Sequence, residues 1–122
     1  MATTDQNKQS VAELFDAFRA GDTSRFDTLI AADYKQHNPQ ARDGLETVKA
    51  LFDQLGPIDV DVHRVIAEGD LVAVHSHYKS LNMAGVDIFK VGADGKIVEH
   101  WDVLQPIPAT TASGNDMFSD LS

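Results

Sequence analysis

Around Gly56 and Pro57 the hydrophobic rhythm of the chain changes from a helical to a strand period, and that switch limits the fold more than any other feature. Upstream, Val11, Leu14, Phe15 and Phe18 recur at three- and four-residue spacing, which predicts an amphipathic helix over Asp5 to Ala20, ended by Gly21. Asp22 or Thr23 can cap a shorter helix with Phe26, Leu29 and Ile30 on one side. The polar run ADYKQHNPQARDG reads as a loop, punctuated by Pro39 and Gly44. A third helix is predicted from about Leu45 to Leu55, with Val48, Leu51, Phe52 and Leu55 inward and Gly56-Pro57 as its stop.

Downstream, Ile58, Val60 and Val62 alternate with Asp59, Asp61 and His63, and the turns EGD (Glu68 to Asp70) and ADG (Ala93 to Gly95) separate further alternating runs. A meander of about four strands is predicted. Helices first and an antiparallel sheet afterwards is an α+β pattern, with the helices covering one face of the sheet. A chain of 122 residues is sized for one core, so a single domain over 1–122 is expected. Its last stretch, 106–122, is rich in Pro, Ser, Thr and Gly and reads as a tail, with Ile107, Met117 and Phe118 as its ordering groups.

Polar residues interrupt the apolar rows of three strands. In LVAVHSHY, Leu71, Ala73, His75 and His77 share one face, while Val72, Val74, Ser76 and Tyr78 share the other. In GVDIFKV, Asp87 falls on the face of Phe89 and Val91, and in VEHWDVLQ, His100 and Asp102 fall with Val98 and Leu104. Ionisable groups survive in an apolar interior only when paired, hydrogen-bonded or open to a cavity. The pair His100 and Asp102 is close enough in sequence to share a hydrogen bond, and Trp101 between them fills the core, a dimer contact or a ligand site. Asp87 can cap a bulge or pair with Lys90, and His63 shares a solvated face with Asp59 and Asp61. The loop YKQHNP offers a hydroxyl at Tyr34, an imidazole at His37 and an amide at Asn38, groups that can orient a carbonyl or hydroxyl ligand.

Composition narrows the partners. Ten Lys plus Arg against nineteen Asp plus Glu gives a net charge of −9, which disfavours phosphate backbones and anionic membranes, so no nucleic acid and no membrane partner is expected. No apolar run is long enough to span a bilayer, and MATTDQNKQS lacks the apolar core of a signal peptide. The absence of cysteine removes thiol nucleophiles and zinc-thiolate sites and makes a cytoplasmic location the default expectation. His75 and His77 could form a two-ligand clip, but no further zinc motif accompanies them, and no metal is expected. No GxSxG elbow or glycine-rich phosphate loop is present.

Taken together, the QHNP loop, HRVIAEGDLVAVHSHY and DIFKV followed by DGKIVEHWDVLQ resemble the SnoaL-like polyketide cyclase branch of the nuclear transport factor 2-like superfamily. The tail SGNDMF is similar to that of bacterial members described as predicted aldol-condensation enzymes. The resemblance implies a cone-shaped, strongly curved mixed sheet wrapped around three helices, a deep pocket for a small molecule, and a homodimer formed through the sheet. In cyclases of the family an aspartate on the last strand removes a proton from carbon beside a carbonyl, assisted by a strand histidine and without a cofactor. By position that aspartate matches Asp102. The histidine's place falls near Asp87, so this chain departs from the pattern, and His75 or His100 would take its part. Asp87 could instead pair with Asp102 or orient a histidine, which resembles the logic of limonene epoxide hydrolase and ketosteroid isomerase relatives. Such chemistry asks for a carboxylate in an apolar pocket and a donor for the enolate, here Tyr34, His37, Asn38 or His75. The competing expectation is a binding module that holds an apolar ligand with a polar end in the same pocket.

Overall fold

The computed structural model describes residues 3–119; the last three residues of the expected tail lie outside them. Helix α1 spans Thr4–Ala20, and its first turn is closed reciprocally: the Thr3 hydroxyl accepts from the Gln6 N–H, and the Gln6 side chain accepts from the Thr3 N–H. Gly21 ends it in the left-handed conformation at φ 67°. The Asp22 side chain then caps a short 3₁₀ turn by accepting from the Ser24 N–H, and α2 is a single turn, Phe26–Leu29. Helix α3 is Leu45–Leu55.

The strands are β1 (Ile30–Gln36), β2 (Val60–Glu68), β3 (Leu71–Tyr78), β4 (Met83–Val91) and β5 (Ile97–Pro106). They form one curved, unclosed sheet in the order β1-β5-β4-β3-β2, with the helices on its inner side. β1 runs parallel to β5 and every other neighbouring pair is antiparallel, so the sheet is mixed. This α+β cone agrees with the expected fold class, but the strand count is five, and the first part of the expected loop from Ala32 to Gly44 is strand β1. A parallel edge strand has no hairpin turn to announce it, and only two of the seven residues of β1, Ile30 and Tyr34, are buried, which leaves no alternation to read.

The core forms where α1 crosses the sheet. Val11, Leu14, Phe15, Ala17 and Phe18 are buried against Val60, Val72, Val74 and Phe89, and the Phe18 ring stacks on Phe52 with centroids 4.5 Å apart. Burying each large apolar side chain is worth about 1.5–3 kcal/mol, so this cluster dominates the stability of the helix layer. Backbone and side-chain bonds pin both ends of α1 to the sheet. The Asn7 amide donates to the Gly69 carbonyl (3.2 Å), and at the other end the Arg19 Nε donates to the Val60 carbonyl (3.0 Å) and the Ile58 N–H to the Phe18 carbonyl (2.9 Å).

The tail returns along the outer face of β2 and β3. The Arg64 guanidinium donates to the carbonyls of Phe118 (2.6 Å) and Ser119 (2.9 Å), and the Phe118 ring stacks against His63 and His77 at 4.8 and 4.6 Å. A bulge between Val62 and Arg64 brings this arrangement about by interrupting the alternation of β2 at His63.

Gly21 allows the tightest joint of the helix layer, since a Cβ there would meet the Pro57 ring at 2.9 Å in addition to occupying a left-handed backbone. Gly21→Ala is expected to lose about 2 kcal/mol in denaturant unfolding, whereas Gly69→Ala, left-handed but with open space around it, loses about 1 kcal/mol. Equal losses at both positions would show that the contact with Pro57 contributes nothing.

Candidate functional site

The site is assembled on β5. Lys90 pairs with Glu99 and Val91 with Ile97, which leaves Val98 as an extra residue in a bulge. The inner face of β5 therefore carries Ile97, His100, Asp102 and Leu104, all of which line one cavity, and the expected inward position of Val98 is taken by Ile97. On β4, Asp87 lies directly opposite Asp102 and Phe89 opposite His100. β3 contributes Tyr78, β1 contributes Tyr34 and Gln36, and the loop after β1 contributes Asn38.

The cavity is about 430 Å³, between the inner face of the sheet and helices α1 and α3. Its walls are apolar, from residues such as Phe18, Leu51, Phe52, Leu55, Met83 and Leu104, and its polar groups gather on the β1-β5-β4 side. Leu51 and Leu55 point inward as the helix pattern predicts, but they face this cavity rather than a closed core and so remain partly exposed.

Two amides organise the polar wall, and backbone donors fix the orientation of each. The Gln36 Oε1 accepts from the N–H groups of His37 and Asn38, each at 3.0 Å, so its Nε2 must be the atom that donates to the Tyr34 hydroxyl at 2.8 Å. The same Oε1 lies 2.7 Å from the His100 Nδ1, which must therefore carry a proton. The His100 Nε2 is 2.8 Å from the Asp87 Oδ1, a separation that requires one proton between them, on whichever atom it resides. Asp87 and His100 are thus a net-neutral buried pair, completed by the Tyr78 hydroxyl, which donates to the Asp87 Oδ2 at 2.5 Å. Gly85 makes room for this phenol, since a Cβ there would meet the Tyr78 ring at 2.9 Å.

Asp102 stands next to the pair but outside it. Its Oδ2 lies 4.0 Å from the His100 Nε2, beyond hydrogen-bond reach, so the expected direct bond between His100 and Asp102 is replaced by the bond to Asp87. The partner of Asp102 is Asn38, whose Nδ2 lies 3.0 and 2.9 Å from the two carboxylate oxygens. The Gln40 N–H donates to the Asn38 Oδ1 at 2.8 Å and holds the amide in this orientation. Burial, and next the charge of Asp87, raise the pKa of both phenols, Tyr34 and Tyr78, so each remains a protonated donor at neutral pH.

Of the residues singled out in the sequence, Asp87, His100, Asp102, Tyr34 and Asn38 converge on the cavity, while His75, His77, His37 and Trp101 do not line it. His75 lies on the outer face of β3, where its Nδ1 accepts from Arg64. Strand alternation puts it opposite to Tyr78, and burial, followed by the Arg64 charge, lowers its pKa. His77 shares that face and packs on Phe118. His37 and Trp101 also lie outside the cavity and stack on each other with rings 1° from parallel. Three polar residues of the lining, Gln36, Gln40 and Tyr78, are not among the sequence candidates. Gln36 is recoverable only once Tyr34 to Gln36 is known to be a strand, because residues two apart then share a face.

The SnoaL-like domain family matches residues 11–100, most of the chain. This protein belongs to the SnoaL-like family. No curated protein matches the sequence. Among solved structures, a nuclear transport factor 2-like protein of unknown function from Burkholderia xenovorans LB400 is similar at 18% identity with a TM-score of 0.77, over 89% of this chain and 90% of that one. An LEH-like epoxide hydrolase from M. tuberculosis is similar at 17% identity and TM-score 0.68, over 84% of each chain. A steroid delta-isomerase from Pseudomonas aeruginosa is similar at 21% identity and TM-score 0.65, over 89% of this chain and 82% of that one. At these identities the likeness is one of fold.

Among the described residues, Asp87, His100 and Asp102 each offer a ligand atom within 4.8 Å of the others and together could hold a metal ion. Most of those atoms already face a donor or acceptor of the chain itself, and an ion would have to displace the proton shared by Asp87 and His100. The two phenols provide a direct check on the wall as built. With the folded values raised, the stability they contribute is complete below pH 10 and is lost as pH rises above it. A spectrophotometric titration is expected to show no phenolate at pH 10, where a free tyrosine is half ionised, and phenolate to appear only together with unfolding. A normal titration of either tyrosine in folded protein would contradict the burial described above.

Proposed function

We propose that this SnoaL-like protein is an enzyme that abstracts a proton from carbon beside a carbonyl, with Asp102 as the general base and no cofactor. The observation behind this reading is a carboxylate held by one side-chain amide in an apolar cavity, near a phenol that remains protonated. In the proposed step a substrate carbonyl oxygen accepts from the Tyr34 hydroxyl, and an Asp102 oxygen takes the proton from the adjacent carbon. The C–H electron pair moves into the new C=C bond, the carbonyl π pair moves to oxygen, and the resulting enolate is stabilised by Tyr34. Returning the proton to another carbon gives an isomerisation, and attack of the enolate on a second carbonyl gives an aldol or cyclase reaction. Asp87 and His100 stay neutral as a pair and provide a polar wall that adds no second charge beside the developing enolate. Among the described residues the lining has no lysine or arginine, which favours an uncharged ligand over a carboxylate or phosphate ester.

Wild-type protein is expected to exchange solvent deuterium into cyclic ketones or β-dicarbonyl compounds, and Asp102→Asn is expected to lose that exchange by roughly 10²–10⁴-fold. Binding without exchange, equal in both proteins, would favour the alternative reading as a ligand-binding module. That alternative is supported by a polar wall whose hydrogen bonds close largely on one another, leaving few groups that require a reacting partner.

The outer face of the sheet supports a homodimer. The register aligns Ile66, Ala73, Ile88 and Trp101 in one row across four strands and Val86 with Val103 in the next, with Ile66 and Val103 65% and 74% exposed. Sedimentation is expected to give a dimer that Val103→Asp converts to monomer; a monomeric wild type would remove this proposal.

A further inference from the structure

β1 and β5 are joined on both faces of the sheet. On the cavity face Gln36 meets His100 and Asn38 meets Asp102. On the outer face His37, between them in sequence, meets two residues of β5 at once. Its Nε2 lies 2.7 Å from the Glu99 Oε2, and its ring is parallel to Trp101 with centroids 5.0 Å apart. Glu99 and Trp101 sit on the same side of β5 because they are two residues apart, just as His100 and Asp102 share the other side.

The backbone makes this outer contact important. The last bond from the β1 end to β5 is the His37 N–H to the His100 carbonyl, 3.0 Å, and Pro39 removes the donor that follows Asn38. Among the described residues no backbone hydrogen bond joins residues 38–40 to β5. The orientation of Asn38 toward Asp102 therefore depends on its own local turn and on how firmly the residue before it is fixed.

We propose that His37 is a positioning residue: clamped by Glu99 and Trp101 on the outer face, it holds the end of β1 so that the Asn38 amide stays on the Asp102 carboxylate. The clamp accounts for two candidates that do not line the cavity, His37 and Trp101. It also explains why Gln-His-Asn at the end of β1 and just beyond it faces Glu-His-Trp-Asp on β5: alternate members meet inside and outside. The consequence for catalysis rests on the reading of Asp102 as the base, whereas the anchoring of Asn38 does not.

The anchoring is tested on ligand-free, isotope-labelled protein by following the Asn38 side-chain amide signals, assigned with Asn38→Ser. In wild type these signals are expected away from free-amide positions and slow to exchange with solvent. In His37→Ala they move toward free-amide positions and exchange on the order of tenfold faster. His37→Gln, which keeps a donor for Glu99, restores most of the difference, and Glu99→Gln gives a smaller change of the same sign even if His37→Ala folds poorly. In the deuterium-exchange assay His37→Ala is expected to lower kcat on the order of tenfold at unchanged KM. Unaltered Asn38 signals in both His37→Ala and Glu99→Gln, with or without a fall in thermal stability, would overturn the proposal and reduce His37 to an edge-strand stabiliser. If wild type exchanges no deuterium, the base assignment fails, while the amide signals still decide the role of His37.

Discussion

A carboxylate and an imidazole placed in an apolar wall must find partners there, and most of the candidate site follows from meeting that requirement for Asp87 and His100. Asp87 is 3% exposed and His100 7%, so neither can rely on water. Tyr78 supplies one bond and Gln36 another, and each makes demands of its own. Tyr78 needs the space that Gly85 leaves, while Gln36 needs to have its carbonyl fixed by the backbone of residues 37 and 38. The outcome is a chain of bonds from Tyr78 through Asp87, His100 and Gln36 to Tyr34, crossing three neighbouring strands and β1.

This chain of bonds separates the two carboxylates chemically even though they lie opposite each other on adjacent strands. Asp87 is paired with His100 through the proton between them. Asp102 is 4.0 Å from that imidazole and is held by a neutral amide instead. Two like groups in one cavity thus have different partners and different surroundings.

The cavity itself is a product of the same geometry that builds the core. α1 lies across β2, β3 and β4 and packs Phe15 against Tyr78 and Phe89, while α3 lies on the β1 side. Leu51, Phe52 and Leu55 then line open space in place of packed side chains. A hydrophobic periodicity announces that a helix face is turned inward, but it cannot tell a filled interior from a cavity, because both ask for the same apolar residues.

Local pattern alone determined much of this protein. The switch of period at Gly56-Pro57 separates helix from strand, α1 and α3 are legible from their apolar stripes, and alternation groups His100 with Asp102 and Asp87 with Phe89. Tertiary structure decided the rest. The bulge at Val98 exchanged which isoleucine or valine faces inward, the outer face received His75, His37 and Trp101, and β1 joined the sheet as a parallel edge with no turn to mark it. Gln36 meets His100, and Asn38 meets Asp102, across 64 residues of chain. Alternation is a property of neighbouring residues and is written in the sequence, whereas the partner of a buried polar atom is whichever strand the fold brings beside it, and only the assembled sheet determines that.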